Sequence, residues 1–164
     1  MTQLMQTNYQ DSFPVMDLTG DHYQQFIYQK LVNILSREFR LLGSTLSLIV
    51  QLSSLEQEDR QKYELIEQQI RELSEMIEKL HFRIKAFGQA PESLETAQKK
   101  PSPLQAKSLL SRLTREHQDM ISDLQQLDNA LTQRPAEEKM LSFLRQLMMK
   151  HELMNLKLTY GLAA

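Results

Sequence analysis

The chain has 164 residues, 41% of them hydrophobic, enough for one core and too few for two domains of ordinary size. Nineteen Lys and Arg stand against 21 Asp and Glu, a formal charge of −2, which argues against a surface built as a whole for nucleic acid and leaves room only for a local basic patch. Cysteine and Trp are absent and there are only four Gly and five Pro, which excludes a disulfide framework, a thiolate zinc site and a cysteine nucleophile and points to long helices rather than β-structure. No stretch reaches the roughly 18 uninterrupted apolar residues of a membrane helix; the best run, Leu46 to Leu52, carries Ser47 and Gln51. No Lys or Arg precedes Lys30 and no early apolar run is present, so no signal peptide and no membrane partner are expected, and the compartment read from the sequence is the cytoplasm.

Residues 1–20 are polar, contain Pro14 and Gly20 and keep no helical period, so they read as an N-terminal tail ahead of a bundle over 21–164. The first helix is expected from about Asp21 to Leu52, with Ile27, Leu31, Leu35, Leu42, Leu46 and Ile49 on one face and Phe26, Val32, Phe39 and Val50 widening it. Ser54-Leu55-Glu56-Gln57 has the form of a capping box that opens the second helix. That helix has the cleanest period in the chain. Tyr63, Ile66, Ile70, Leu73, Ile77, Leu80, Ile84 and Phe87 alternate steps of three and four, the pattern of a seam packed on neighbouring helices. Gly88 and Pro91 mark its end. Residues 88–103, with Pro91, Pro101 and Pro103, form a connection long enough to cross from one end of a bundle to the other. The third helix is expected from about Leu104 to Leu131 with the stripe Leu110, Leu113, His117, Met120, Leu124, Leu127 and Leu131. Pro135 opens the fourth, whose stripe is Met140, Leu144, Leu147, His151, Met154 and Leu158. The expected fold is all-α, a four-helix bundle with a long crossover between helices 2 and 3.

Three segments in this order resemble the Dps family of ferritin-like proteins. They are Arg83-Ile84-Lys85-Ala86-Phe87-Gly88 with Pro91 after it, Leu113-Thr114-Arg115-Glu116-His117, and Lys150-His151-Glu152-Leu153. The resemblance covers about residues 25–162 and implies a ferritin-like bundle that self-assembles into a shell, commonly a dodecamer, which oxidises and stores iron in stress protection and in some members coats DNA. It also implies a ferroxidase site between subunits made of two His, an Asp and a Glu. Those positions fall here on Gln51, Tyr63, Glu78 and Phe82, so one carboxylate remains and three ligands are replaced by groups that bind iron poorly. The expectation is therefore a homo-oligomeric shell without efficient iron oxidation, with no catalytic residue and no resident cofactor assigned. Iron is the one metal the resemblance brings with it.

Other metal candidates come from the four histidines. Glu78 and His81 make one Glu-x-x-His pair where ferritin-like di-iron sites use two. His117 and His151 sit in the seams of the third and fourth helices, each 17 residues from Arg134, so an antiparallel pair sets them level, with Glu38 or Glu67 at similar height. The simpler reading makes them core residues bonded to neighbours. Hemerythrin-like bundles need about five histidines and are excluded by the count of four. Acidic residues from Glu64 to Glu78 read as a solvated face or a mineral-facing one, and the nine methionines as core filler. DNA contact is left open. The tail holds Asp11 and Asp17 and no base, so only Lys99, Lys100 and Lys107 could touch phosphate. The alternative from a different class is a non-enzymatic four-helix adaptor or chaperone that binds a protein partner.

Overall fold

The computed structural model describes residues 21–53, 60–86, 106–133 and 138–162. They form four long helices: α1 (Asp21–Ser53), α2 (Arg60–Lys85), α3 (Ala106–Thr132) and α4 (Glu138–Leu162). The tail, the capping box, Phe87, Gly88, the 88–103 connection and Pro135 lie outside the described residues. Among the described residues no helix is long and apolar enough to cross a membrane.

Contacts between the helices fix their directions. Arg37 meets Asp123 and Ser44 meets Glu116, so moving up α1 means moving down α3. Asp128 meets Arg145 while His117 meets His151, which makes α3 and α4 antiparallel. Leu65 touches Gly161 and Gln69 bonds the carbonyl of Met154, which makes α2 antiparallel to α4. It follows that α1 is antiparallel to α2, that α1 and α4 are parallel across one diagonal, and that the consecutive helices α2 and α3 are also parallel. Lys85 and Ala106 therefore lie at opposite ends of the bundle. The result is an all-α four-helix bundle.

Each helix buries one face, but not always the face that apolar spacing alone predicts. In α2 the buried positions are Ile66, Gln69, Leu73, Met76, Ile77, Leu80 and Ile84, with Tyr63 and Ile70 at the seam's edge. In α3 the stripe starts at Leu109 rather than Leu110, because Leu109 stands four residues before Leu113 and prolongs the same row. The largest correction is in α1. Leu46 is 44% exposed, and Leu42 and Ile49 are only part-buried, whereas Leu41, Ser44, Thr45, Leu48 and Leu52 face inward together with Glu38. The series Leu35, Leu42, Ile49 repeats every seven residues, and a straight helix rotates such a series off its face by roughly 20° per heptad. The true core face carries polar residues that apolar counting skips.

Two of the buried hydroxyls on this helix are satisfied by their own backbone. Thr45 donates to the carbonyl of Leu41 at 2.6 Å and Ser47 to that of Gly43 at 3.1 Å, the i−4 bonding that lets hydroxyls sit inside a helix packed on others. α2 ends with the Ala86 amide shared between the carbonyls of Phe82 and Arg83, a tightened last turn after Lys85. Asp128, near the C-terminus of α3, is an acid at the wrong end of a helix dipole. Arg145 of α4 donates two hydrogen bonds to it, at 2.7 and 3.3 Å, and Thr132 adds a third at 3.0 Å. Arg145 above all, helped by Thr132, holds the Asp128 carboxyl below its ordinary value against the opposing effect of burial.

Gly43 stands in the interior of α1, and a Cβ built there meets no atom within 4 Å. Gly in a helix interior costs about 0.8–1 kcal/mol relative to Ala, chiefly through backbone entropy. Gly43→Ala is expected to raise stability by about that amount in urea denaturation, with an unchanged m value; a loss of stability would show that a neighbour outside the described residues fills the space.

Candidate functional site

At mid-height in the bundle three ionisable side chains meet in the interior. Glu38 of α1, His117 of α3 and His151 of α4 are each 0% exposed. His151 bonds through Nε2 to the Oε1 of Glu38, across the diagonal between α1 and α4. Its Nδ1 lies 3.0 Å from the Nδ1 of His117. The two rings are 5.1 Å apart at their centroids and tilted by 50°, so they meet edge to edge rather than stacked. The three residues form a linear chain, Glu38–His151–His117.

The proton count along this chain is constrained. With Glu38 as carboxylate, His151 Nε2–H donates to it. A single proton then lies between the facing Nδ1 atoms, carried by one ring and accepted by the other. In either arrangement the far ends lack partners: if His117 carries that proton its Nε2 is a bare acceptor, and if His151 carries it the neutral His117 holds an Nε2–H. Glu38 Oε2 and His117 Nε2 are buried and make no hydrogen bond. Burial first, and then the charge of His151, bring the His117 pKa down to about 3, so His117 is neutral over the whole physiological range. Another unpaired buried atom, the acceptor Gln69 Oε1 of α2, lies roughly one turn of α4 away, since the Gln69 side-chain amide donates to the carbonyl of Met154 at 3.1 Å.

The sequence placed His117 and His151 level and paired them with Glu38 or Glu67. Glu38 is the partner. Glu67 is exposed on α2 and pairs with Arg71 four residues on. Glu78 is exposed and His81 half-buried, and neither makes a hydrogen bond or ion pair among the described residues, so the Glu-x-x-His spacing is not used as a pair. Among the described residues no group of three or more His, Asp or Glu is disposed to hold a metal ion. In the buried chain, three of the four ring nitrogens are engaged with one another or with Glu38.

The four positions to which ferroxidase ligands were assigned lie at the surface. Gln51 and Tyr63 are half-buried, Glu78 is exposed, and Phe82 is 76% exposed. Of the acids on α2, Glu64, Glu67, Glu75 and Glu78 are exposed and Glu72 half-buried, with Glu64 and Glu67 in pairs with Arg60 and Arg71. The methionine reading needs one correction. Met140, Met148 and Met154 are core, but Met149 is 68% exposed.

The buried chain makes stability depend on pH. His117 has an ordinary pKa of 6.5 when unfolded and about 3 when folded, so between those values the unfolded state binds the extra proton. Stability on this account rises with pH and is lost as pH falls below about 6.5. The loss reaches about 2 kcal/mol by pH 5, at 1.36 kcal/mol per unit of pKa difference sampled. Thermal melts at pH 7 and pH 5 should show the drop in the native protein and a smaller one in His117→Gln; an equal drop in both would locate the proton uptake elsewhere.

No protein-family model matches this chain, and no curated protein matches it in sequence.

Proposed function

We propose that the protein is a non-enzymatic subunit of a self-assembling, ferritin-like shell of the Dps type, serving stress protection or iron handling without oxidising iron at its subunit contacts. The observation that carries this reading is the connectivity. Consecutive helices α2 and α3 are parallel, the arrangement of bundles with a single long crossover such as the ferritin-like ones. The order of the three resembling segments supports it. So does the surface position of Gln51, Tyr63, Glu78 and Phe82, where a contact between subunits would form. Iron oxidation needs carboxylate and imidazole ligands with positions open to the oxidant. An exposed phenyl ring at Phe82 supplies neither, and it favours apolar contact instead. The buried Glu38–His151–His117 chain belongs to the packing of the single subunit in this reading. Sealed from solvent at 0% exposure, it offers no route for a substrate.

A second reading, a four-helix adaptor that binds a protein partner, draws on the apolar side chains exposed on α1, α2 and α4, among them Leu46, Phe82, Leu153 and Leu156. Mass in solution separates the two. Light scattering on the native protein is expected to give about 230 kDa, twelve times the 19.2 kDa subunit. A mass of one subunit overturns the shell and favours the adaptor. On the assembled protein, Fe(II) with peroxide should be oxidised no faster than in buffer. Saturable oxidation above that rate would overturn the loss of the ferroxidase site.

A further inference from the structure

α4 is apolar on two opposite sides. Its inner face carries Met140, Leu144, Leu147, His151, Met154 and Leu158. On the outer face stand Met149, Leu153, Leu156 and Tyr160, which are 68%, 50%, 53% and 77% exposed. Their steps of four, three and four residues are the a/d spacing of a coiled-coil seam, so the four side chains form one narrow strip about 16 Å long, three turns of helix. Large apolar residues scattered singly on a surface need no explanation, but four in heptad register do.

The charges beside the strip indicate what covers it. With Leu153 and Tyr160 at a and Met149 and Leu156 at d, Glu152 falls at g and Lys157 at e. Both are exposed, and neither makes an ion pair among the described residues. In a parallel helix pair each g residue faces the e residue five places further along the other chain, and such pairs set partner and orientation. Glu152 of one copy therefore meets Lys157 of another, twice about a two-fold axis. The heptad before brings Arg145 near Lys150, but the Arg145 charge is already held by Asp128, and the strip starts only at Met149. An antiparallel pair matches e with e and g with g, so Lys150 meets Lys157 and Glu152 meets Thr159. That orientation has a like-charge pair and no opposite one.

We infer that the outer strip of α4 pairs with the same strip of a second copy, parallel and two-fold, with Met149, Leu153, Leu156 and Tyr160 each facing its own counterpart and Glu152 facing Lys157. The pairing rests on the self-assembly part of the reading above, but needs only two copies rather than a shell. A strip three turns long acts alongside other contacts in a larger assembly.

The chain has no cysteine, so one introduced thiol reports one contact. A d position in a parallel pair meets its own counterpart at a separation that a disulfide spans. Mild oxidation of Met149→Cys should convert most of the protein to a covalent dimer, with Glu75→Cys on the exposed face of α2 as a control that stays monomeric on a denaturing gel. Adding Glu152→Lys to Met149→Cys should cut the yield several-fold at low salt, and adding Lys157→Glu as well should restore it. No dimer from Met149→Cys overturns the pairing. Dimer formed only when Met149→Cys is mixed with Tyr160→Cys overturns the parallel orientation. Native mass separates this from the shell: about 38 kDa with full cross-linking keeps the pairing and removes the shell. A mass near 230 kDa without cross-linking does the reverse.

Discussion

A carboxyl group without access to water sits at the centre of this bundle, and much of the packing answers to it. Glu38 is fully buried on α1 and finds its donor on α4, the helix diagonally across the core, through His151. His151 in turn is held by His117 of α3. A slide of any of these helices by one turn, about 5.4 Å, would leave a buried polar group facing hydrocarbon. Removing one partner of such a buried hydrogen bond costs about 1–3 kcal/mol, because the polar group left behind has neither water nor a partner. Apolar side chains tolerate small slips by repacking. A hydrogen bond does not, so the chain of three residues sets the register that the leucines then fill.

The same geometry explains why the buried chain is a structural device more than a reactive one. Its outer atoms, Glu38 Oε2 and His117 Nε2, have lost water without gaining a partner, each a cost of about 1–3 kcal/mol. Depressed basicity at His117 follows from that environment and keeps that ring neutral in the core. Two further links join the same helices: Arg37–Asp123, half-exposed on both sides, and Arg145–Asp128, in which an exposed guanidinium reaches a buried carboxylate. They steer neighbouring helices together without deciding which way round the core is filled.

Much of the fold was legible in the residues. Steps of three and four define α2 over most of its length, and the symmetric placing of His117 and His151 about Arg134 is enough to find that they meet. What escaped notice has physical causes. On α1 the inward row passes through Glu38, Ser44 and Thr45, and a search for apolar spacing follows Leu42 and Leu46 onto the outer side instead. On α2, Gln69 takes a core place beside Ile70, because its amide can reach the Met154 carbonyl. The outer strip of α4 was hidden for the opposite reason. Met148 and Met149 are adjacent and chemically alike, and only the three-dimensional arrangement sends one inward and the other out.

The parallel run of α2 and α3 divides the chain into two antiparallel hairpins, α1–α2 and α3–α4. Each hairpin closes over a short connection, so its internal contacts are local and cheap in loop entropy. Glu38 and His151 are 113 residues apart along the chain, and their bond exists only once one hairpin has docked on the other. The contacts between the two hairpins are thus the ones that close the longest stretches of chain. The buried Glu38 carboxyl acts as a latch between them: it is solvated while the halves are apart and gains its single partner only in the docked arrangement that brings His151 to it.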